Sequence, residues 1–167
     1  LAKTEKNLED AFAGESQASR RYQYFADKAD SEGHPQVARL FRAAVASETV
    51  HARNHLNVLG GINSTAENLE AAMLGEEQEF SHMYPAFIKE AKAEGNTRAE
   101  TSFSYANAVE QIHHGLYLQA LASLRAGKEP KTEPYYVCSV CGNTVAGEAP
   151  EKCPICGAPR SKFMKVE

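Results

Sequence analysis

The sequence has no apolar run approaching the ~20 residues that a membrane-spanning helix needs, no long basic run, and no cysteine before position 138. Each absence narrows the function. Without an apolar span, and with a charged rather than signal-like segment from Lys3 to Asp10, the chain reads as soluble and cytoplasmic, with no membrane partner. A formal net charge of -4 with no basic cluster argues against nucleic acid as the main partner. At 167 residues the chain can bury one good core and carry a short appendage.

What is present begins with four long helical segments. The first runs roughly from Lys3 to Asp30 and stops at Glu32-Gly33. The second opens at Pro35, where a missing N–H is harmless, and closes at Gly60-Gly61. Ser64 and Glu67 form a capping-box pattern that opens the third, which ends near Gly95; Thr97 and Glu100 repeat the pattern for the fourth, which ends at Gly127. Pro85 falls inside the third helix and is expected to kink it. The charged, proline-containing stretch from Gly127 to Pro134 reads as a linker, and Tyr135-Tyr136-Val137 as a short strand after it.

The apolar stripe of each helix is interrupted by acids. Glu15 lies among Leu8, Phe12, Ser19 and Tyr22; Glu48 and His51 follow Val37, Phe41 and Ala44. Glu76 and Glu79 sit between Leu69, Met73 and Met83, Phe87; Glu110 and His113 sit between Phe103, Asn107 and Tyr117, Leu121. Each acid is near the midpoint of its helix, so packing the helices together brings the acids to one level. Burying several carboxylates without a compensating cation is prohibitive, and a pair of metal ions resolves it. The two Glu-x-x-His pairs, Glu48/His51 and Glu110/His113, are the sharper signal. A spacing of three puts both side chains on one helical face, and a Glu from each remaining helix completes the di-iron carboxylate pattern. Glu48 and Glu110 are the natural bridges between the metals. His34, His55, His82 and His114 are weaker candidates, with His114 the rival to His113 if the helical register differs.

All four cysteines occur as Cys138-x-x-Cys141-Gly and Cys153-x-x-Cys156-Gly, two matching knuckles in which glycine permits the tight turn around a metal. The segment is too small to hold a core without such a staple, and a tetrahedral four-thiolate site follows. Spacing alone favours zinc, although zinc ribbons and single-iron sites share this ligand set.

Taken together, Ala13-Gly-Glu-Ser16, Glu48-Thr-Val-His51, Gly75-Glu-Glu-Gln-Glu79, Met83-Tyr-Pro85, Glu110-Gln-Ile-His113 and the paired cysteine knuckles resemble the rubrerythrin family over nearly the whole chain. The resemblance implies a mainly α protein: a ferritin-like di-iron four-helix bundle over residues 1–130 and a small rubredoxin-like domain over residues 131–167 whose four cysteines hold iron. It implies Glu15 and Glu76 as terminal ligands, Glu48 and Glu110 as bridges, His113 as a nitrogen ligand, and Glu79 and His51 as alternatives for one iron. Tyr22 and Tyr84, with Glu79 and His51, are then the candidate catalytic residues. The implied activity is reduction of hydrogen peroxide to water in protection against oxidative stress. Electrons would come through the cysteine-bound iron from a rubredoxin or an NAD(P)H-dependent reductase.

One departure concerns the connection between the second and third helices. In a ferritin-like bundle these run parallel, so the link must span ~35 Å, the length of a helix of about 25 residues. The few residues from Gly61 to Ser64 reach roughly 15 Å at ~3.5 Å each. The expectation is a domain-swapped homodimer, in which Glu15, Glu48 and His51 of one chain meet Glu76, Glu79, Glu110 and His113 of another. An up-down-up-down monomeric bundle is the competing topology. Two other functions compete with the peroxidase: a ferroxidase or iron-handling protein, and a structural module with zinc at the cysteines.

Overall fold

The computed structural model describes residues 2–166, which divide into two compact units, one within Leu1–Asn63 and one within Ser64–Glu167. Among the described residues no helix is long and apolar enough to cross a membrane.

The first unit is a hairpin of helices α1 (Lys3–Ser31) and α2 (Pro35–Val58). Its turn is closed by Gly33, whose φ of 79° lies in the left-handed region that glycine enters without strain. The N–H of His34 then reaches back to the Ala29 carbonyl at 2.8 Å. Small side chains let the helices approach closely: Ala26, Ala29 and Ala38 form the buried core, with Phe41 packed against it. Tyr22, Phe25 and Phe41 add an aromatic cluster with centroids 5.6–6.1 Å apart. Arg42 pairs with Asp30 at 2.7 Å, but both side chains are about half exposed, so solvent screens the pair.

Two helices cannot enclose both faces of one another. On α2 the stripe Val37, Leu40, Ala44, Glu48, His51, His55, Val58 advances by steps of three and four, and its large apolar members are open: Leu40 is 69% and Val58 71% exposed.

The second unit opens with α3 (Thr65–Gln78), which passes through a π-helical segment (Glu79–Met83) into α4 (Tyr84–Ala93) and then folds back as α5 (Thr97–Arg125). Ser64 caps α3 as the sequence suggests: its hydroxyl accepts the Glu67 N–H, and the Glu67 carboxylate takes the Ser64 N–H at 3.0 Å. The cap of α5 differs from expectation. Asn96, not Thr97, accepts the Ala99 N–H, at 3.1 Å, because the left-handed Gly95 places the chain reversal one residue earlier.

Pro85 coincides with a widening of the helical ladder. It has no N–H, and its ring crowds the carbonyl four residues back; just before it the Tyr84 N–H bonds the Glu79 carbonyl five residues away. Tyr84, Phe87 and Phe103 pack between α4 and α5, and Val109 and Leu121 are almost fully buried.

The same unit ends in a three-stranded antiparallel sheet of order β2-β1-β3, formed by β1 (Tyr135–Cys138), β2 (Thr144–Ala146) and β3 (Phe163–Val166). The pairing sets Tyr136 opposite Val145 on one side and Lys165 on the other.

Candidate metal centres

The cysteines stand on two turns of matching construction. Gly142 and Gly157 take φ values of 83° and 77° and donate their N–H groups to the carbonyls of Cys138 and Cys153 at 2.8 and 2.9 Å. These turns bring Cys138 Sγ to 3.7 Å from Cys156 Sγ, and Cys141 Sγ to 3.6 Å from Cys153 Sγ. A metal–sulfur bond of ~2.3 Å gives a tetrahedron with edges of roughly 3.8 Å, whereas a disulfide needs ~2.05 Å. The thiols therefore fit a tetrahedral metal and not a cross-link. Burial works to raise the Cys153 thiol, but N–H groups of Cys156 and Ile155 outweigh it and hold the group at about 7; burial drives Cys141 in the opposite direction. Asn143, almost fully buried, adds its amide N–H at 3.7 Å from Cys153 Sγ.

The carboxylates form two clusters, one in each unit. In the first, Glu15 from α1 meets Glu48 and His51 from α2, with His51 Nδ1 3.0 Å from Glu48 and 3.8 Å from Glu15. The Glu15 carboxyl is held above its ordinary range, first by a hydrogen bond shared with Glu48 and then by lost hydration. His51 and His55 pull the other way. His55, weak as a candidate from sequence, thus lies close enough to act electrostatically on the cluster.

In the second unit Glu76 from α3 meets Glu110 and His113 from α5. His113 Nδ1 is 2.8 Å from Glu110 and 3.7 Å from Glu76, while its Nε2 lies 2.9 Å from the Thr144 hydroxyl on β2. Burial, followed by the Glu110 and Glu79 charges, lifts Glu76 to about 7. Glu79, the first residue of the π segment, stands beside this cluster rather than in it. Its carboxyl is raised by burial and by Glu110 and lowered by His113.

Tyr84 is raised by burial and by the charges of Glu79, Glu110 and Glu76, which puts its phenol within their field. Tyr117 behaves the same way toward Glu76 and Glu110. Its position four residues after His113 was visible in the sequence. Tyr22 packs instead against Phe25 and Phe41. Nothing in the sequence marked Thr144, because its proximity to His113 arises from the packing of the sheet on α5.

The donor sets fit the groups that the spacing suggests. Each cluster crowds carboxylates together and raises a carboxyl above its ordinary range, and a multivalent cation bound to the imidazole nitrogen and the carboxylate oxygens would remove that conflict. The four thiols suit a soft, tetrahedral ion.

Comparison with known proteins agrees with this chemistry. Residues 6–121 match the rubrerythrin family model, and residues 136–164 match the model of the rubrerythrin rubredoxin-like domain. Rubrerythrin-2 of Clostridium acetobutylicum is 36% identical, covering 98% of this chain and 96% of the relative; rubrerythrin of Porphyromonas gingivalis is 38% identical, covering 99% and 91%. Nigerythrin of Nitratidesulfovibrio vulgaris is 35% identical over 98% of this chain and 86% of its own. A solved structure of fully reduced, all-ferrous nigerythrin has a TM-score of 0.59 at 34% identity, covering 99% of this chain and 88% of that one. The chain, mainly helical with carboxylate–histidine clusters compatible with a di-iron site and a rubredoxin-like four-cysteine site, is a member of the rubrerythrin family.

Proposed function

We propose that this protein is a non-haem di-iron peroxidase that reduces hydrogen peroxide to water, with electrons delivered through its cysteine-bound iron. The observation that carries the reading is the pairing of centres within the second unit. The turn after Cys141 leads to Thr144, whose hydroxyl is 2.9 Å from His113 Nε2. An iron-storage protein has no use for a thiolate centre so near its carboxylates. The domains are proposed at 1–130 and 131–167, a division supported by family matches that end at 121 and resume at 136.

When bound, the iron pair supplies two electrons, and with two protons these convert one peroxide into two waters. In this reading Glu48 and Glu110 would be shared by the two metals, Glu15 and Glu76 would hold one each, and His113 would supply nitrogen. Glu79 and His51 would be alternative donors for one metal. A carboxylate suits the ferric state and a neutral imidazole the ferrous. Tyr84 keeps its proton throughout the neutral range, since burial and three nearby carboxylates oppose its ionisation, so its phenol is available as a donor to an incoming oxygen atom. Tyr22, whose ring packs against Phe25 and Phe41, is proposed as the second phenol on the family resemblance alone. A rubredoxin or an NAD(P)H-dependent reductase is the proposed electron source, and the cytoplasm the compartment.

The complete site is proposed to form in a domain-swapped homodimer, each cluster being completed by the complementary cluster of the other chain. The short segment between Val58 and Thr65 and the uncovered apolar stripe flanking Glu48 and His51 support it.

Rapid mixing of the fully reduced protein with hydrogen peroxide and, separately, with oxygen tests the activity. The expected result is much faster oxidation of the carboxylate-bound iron by peroxide; oxidation no faster than by oxygen would overturn the assignment.

A further inference from the structure

We propose that Thr144 is a positioning residue that sets the tautomer of His113, presenting Nδ1 as the metal-binding nitrogen; this rests on the metal site proposed above. The Thr144 hydroxyl has two neighbours, His113 Nε2 at 2.9 Å and the Gly142 carbonyl oxygen at 3.2 Å. The carbonyl can only accept, and the hydroxyl has one proton to give. Thr144 therefore donates to Gly142 and accepts from His113, which requires the imidazole proton on Nε2. In the neutral ring that leaves the lone pair on Nδ1, the nitrogen that faces Glu110 at 2.8 Å and Glu76 at 3.7 Å.

The surroundings protect this arrangement. His113 and Thr144 line a cleft of about 380 Å³ otherwise walled by Leu69, Leu116, Ala120 and two tyrosine rings, so few polar groups compete for the bond. Gly142 is itself anchored, donating its N–H to the Cys138 carbonyl at 2.8 Å. The first cysteine turn thereby holds the acceptor in place, and the orientation of His113 depends on the integrity of the thiolate centre. His51 offers a contrast. It makes the matching contact with Glu48, yet among the described residues no group holds its Nε2, and its side chain is 50% exposed.

The test uses the full-length chain loaded with zinc at all sites and labelled with nitrogen-15. Two-bond proton–nitrogen correlations distinguish the tautomers, and Thr144→Val removes the hydroxyl while keeping the shape. The native chain and Thr144→Ser are expected to show His113 protonated at Nε2 and metal-bound at Nδ1. Thr144→Val is expected to lower zinc affinity at the carboxylate site about 10- to 100-fold, with the cysteine site unchanged. Thr144→Ala tests the same hydroxyl if the valine variant fails to fold. A His113 proton on Nδ1 in the native chain, or equal zinc affinity in native and valine variants, would overturn the proposal. A native chain that binds zinc only at its cysteines would instead overturn the underlying metal reading.

Discussion

Glu76 shows how a single side chain registers burial among like charges. Its folded value of about 7 lies above the ordinary 4.5, so the metal-free fold favours the protonated form. With a raised carboxyl the sign is unfavourable at high pH: stability is intact below about 4.5 and is lost as pH rises toward and through 7. The metal-free protein is therefore expected to melt at lower temperature at pH 8 than at pH 5.5. Glu76→Gln should flatten that dependence while weakening metal binding at least tenfold, roughly the loss expected for an impaired metal site. Loading metal near pH 7 should release protons, measurable by calorimetry in buffers of different ionisation enthalpy. Backbone N–H groups hold the Cys153 thiol down at about 7. Cys153→Ser is expected to abolish the iron–thiolate absorption while leaving the helical content unchanged by circular dichroism.

At the scale of elements, most of the helical pattern was legible because it is written locally. Pro35, Gly33 and the Ser64/Glu67 box act on neighbours within one turn, so their effect needs no tertiary partner. Ser64→Ala should cost about 1 kcal/mol, lowering the melting temperature by roughly 2–4 °C in thermal denaturation. The cap of α5 lies one residue before the Thr97/Glu100 pattern because Asn96 and Thr97 are both competent caps, and only the path of the chain through Gly95 chooses between them. Pro85 revealed that the third helix is irregular, but not how. The π segment before it adjoins Tyr84 and Phe87, which pack against Phe103, a contact distant in sequence.

At the scale of the molecule, the proposed swap makes a sharp prediction. Glu48→Ala and Glu110→Ala should each abolish metal binding at the carboxylate site in their own homodimers. Refolding equal amounts together should restore about a quarter of the sites if association is random, because half the dimers are mixed and each mixed dimer has one intact site. A site built within one chain would recover nothing, and iron stoichiometry with peroxidase assay separates the outcomes.

The sequence by itself determined the helices, the two Glu-x-x-His pairs and the four-thiol site. Helical period and knuckle spacing bring those groups together over short stretches of chain, where geometry leaves few alternatives. Only the tertiary structure decided which atoms face one another: Glu79 beside its cluster, Tyr117 within the carboxylate field, and Thr144 against His113. Those relations depend on packing between elements far apart in the chain. Periodicity tells which face of a helix turns inward but not what it will meet there.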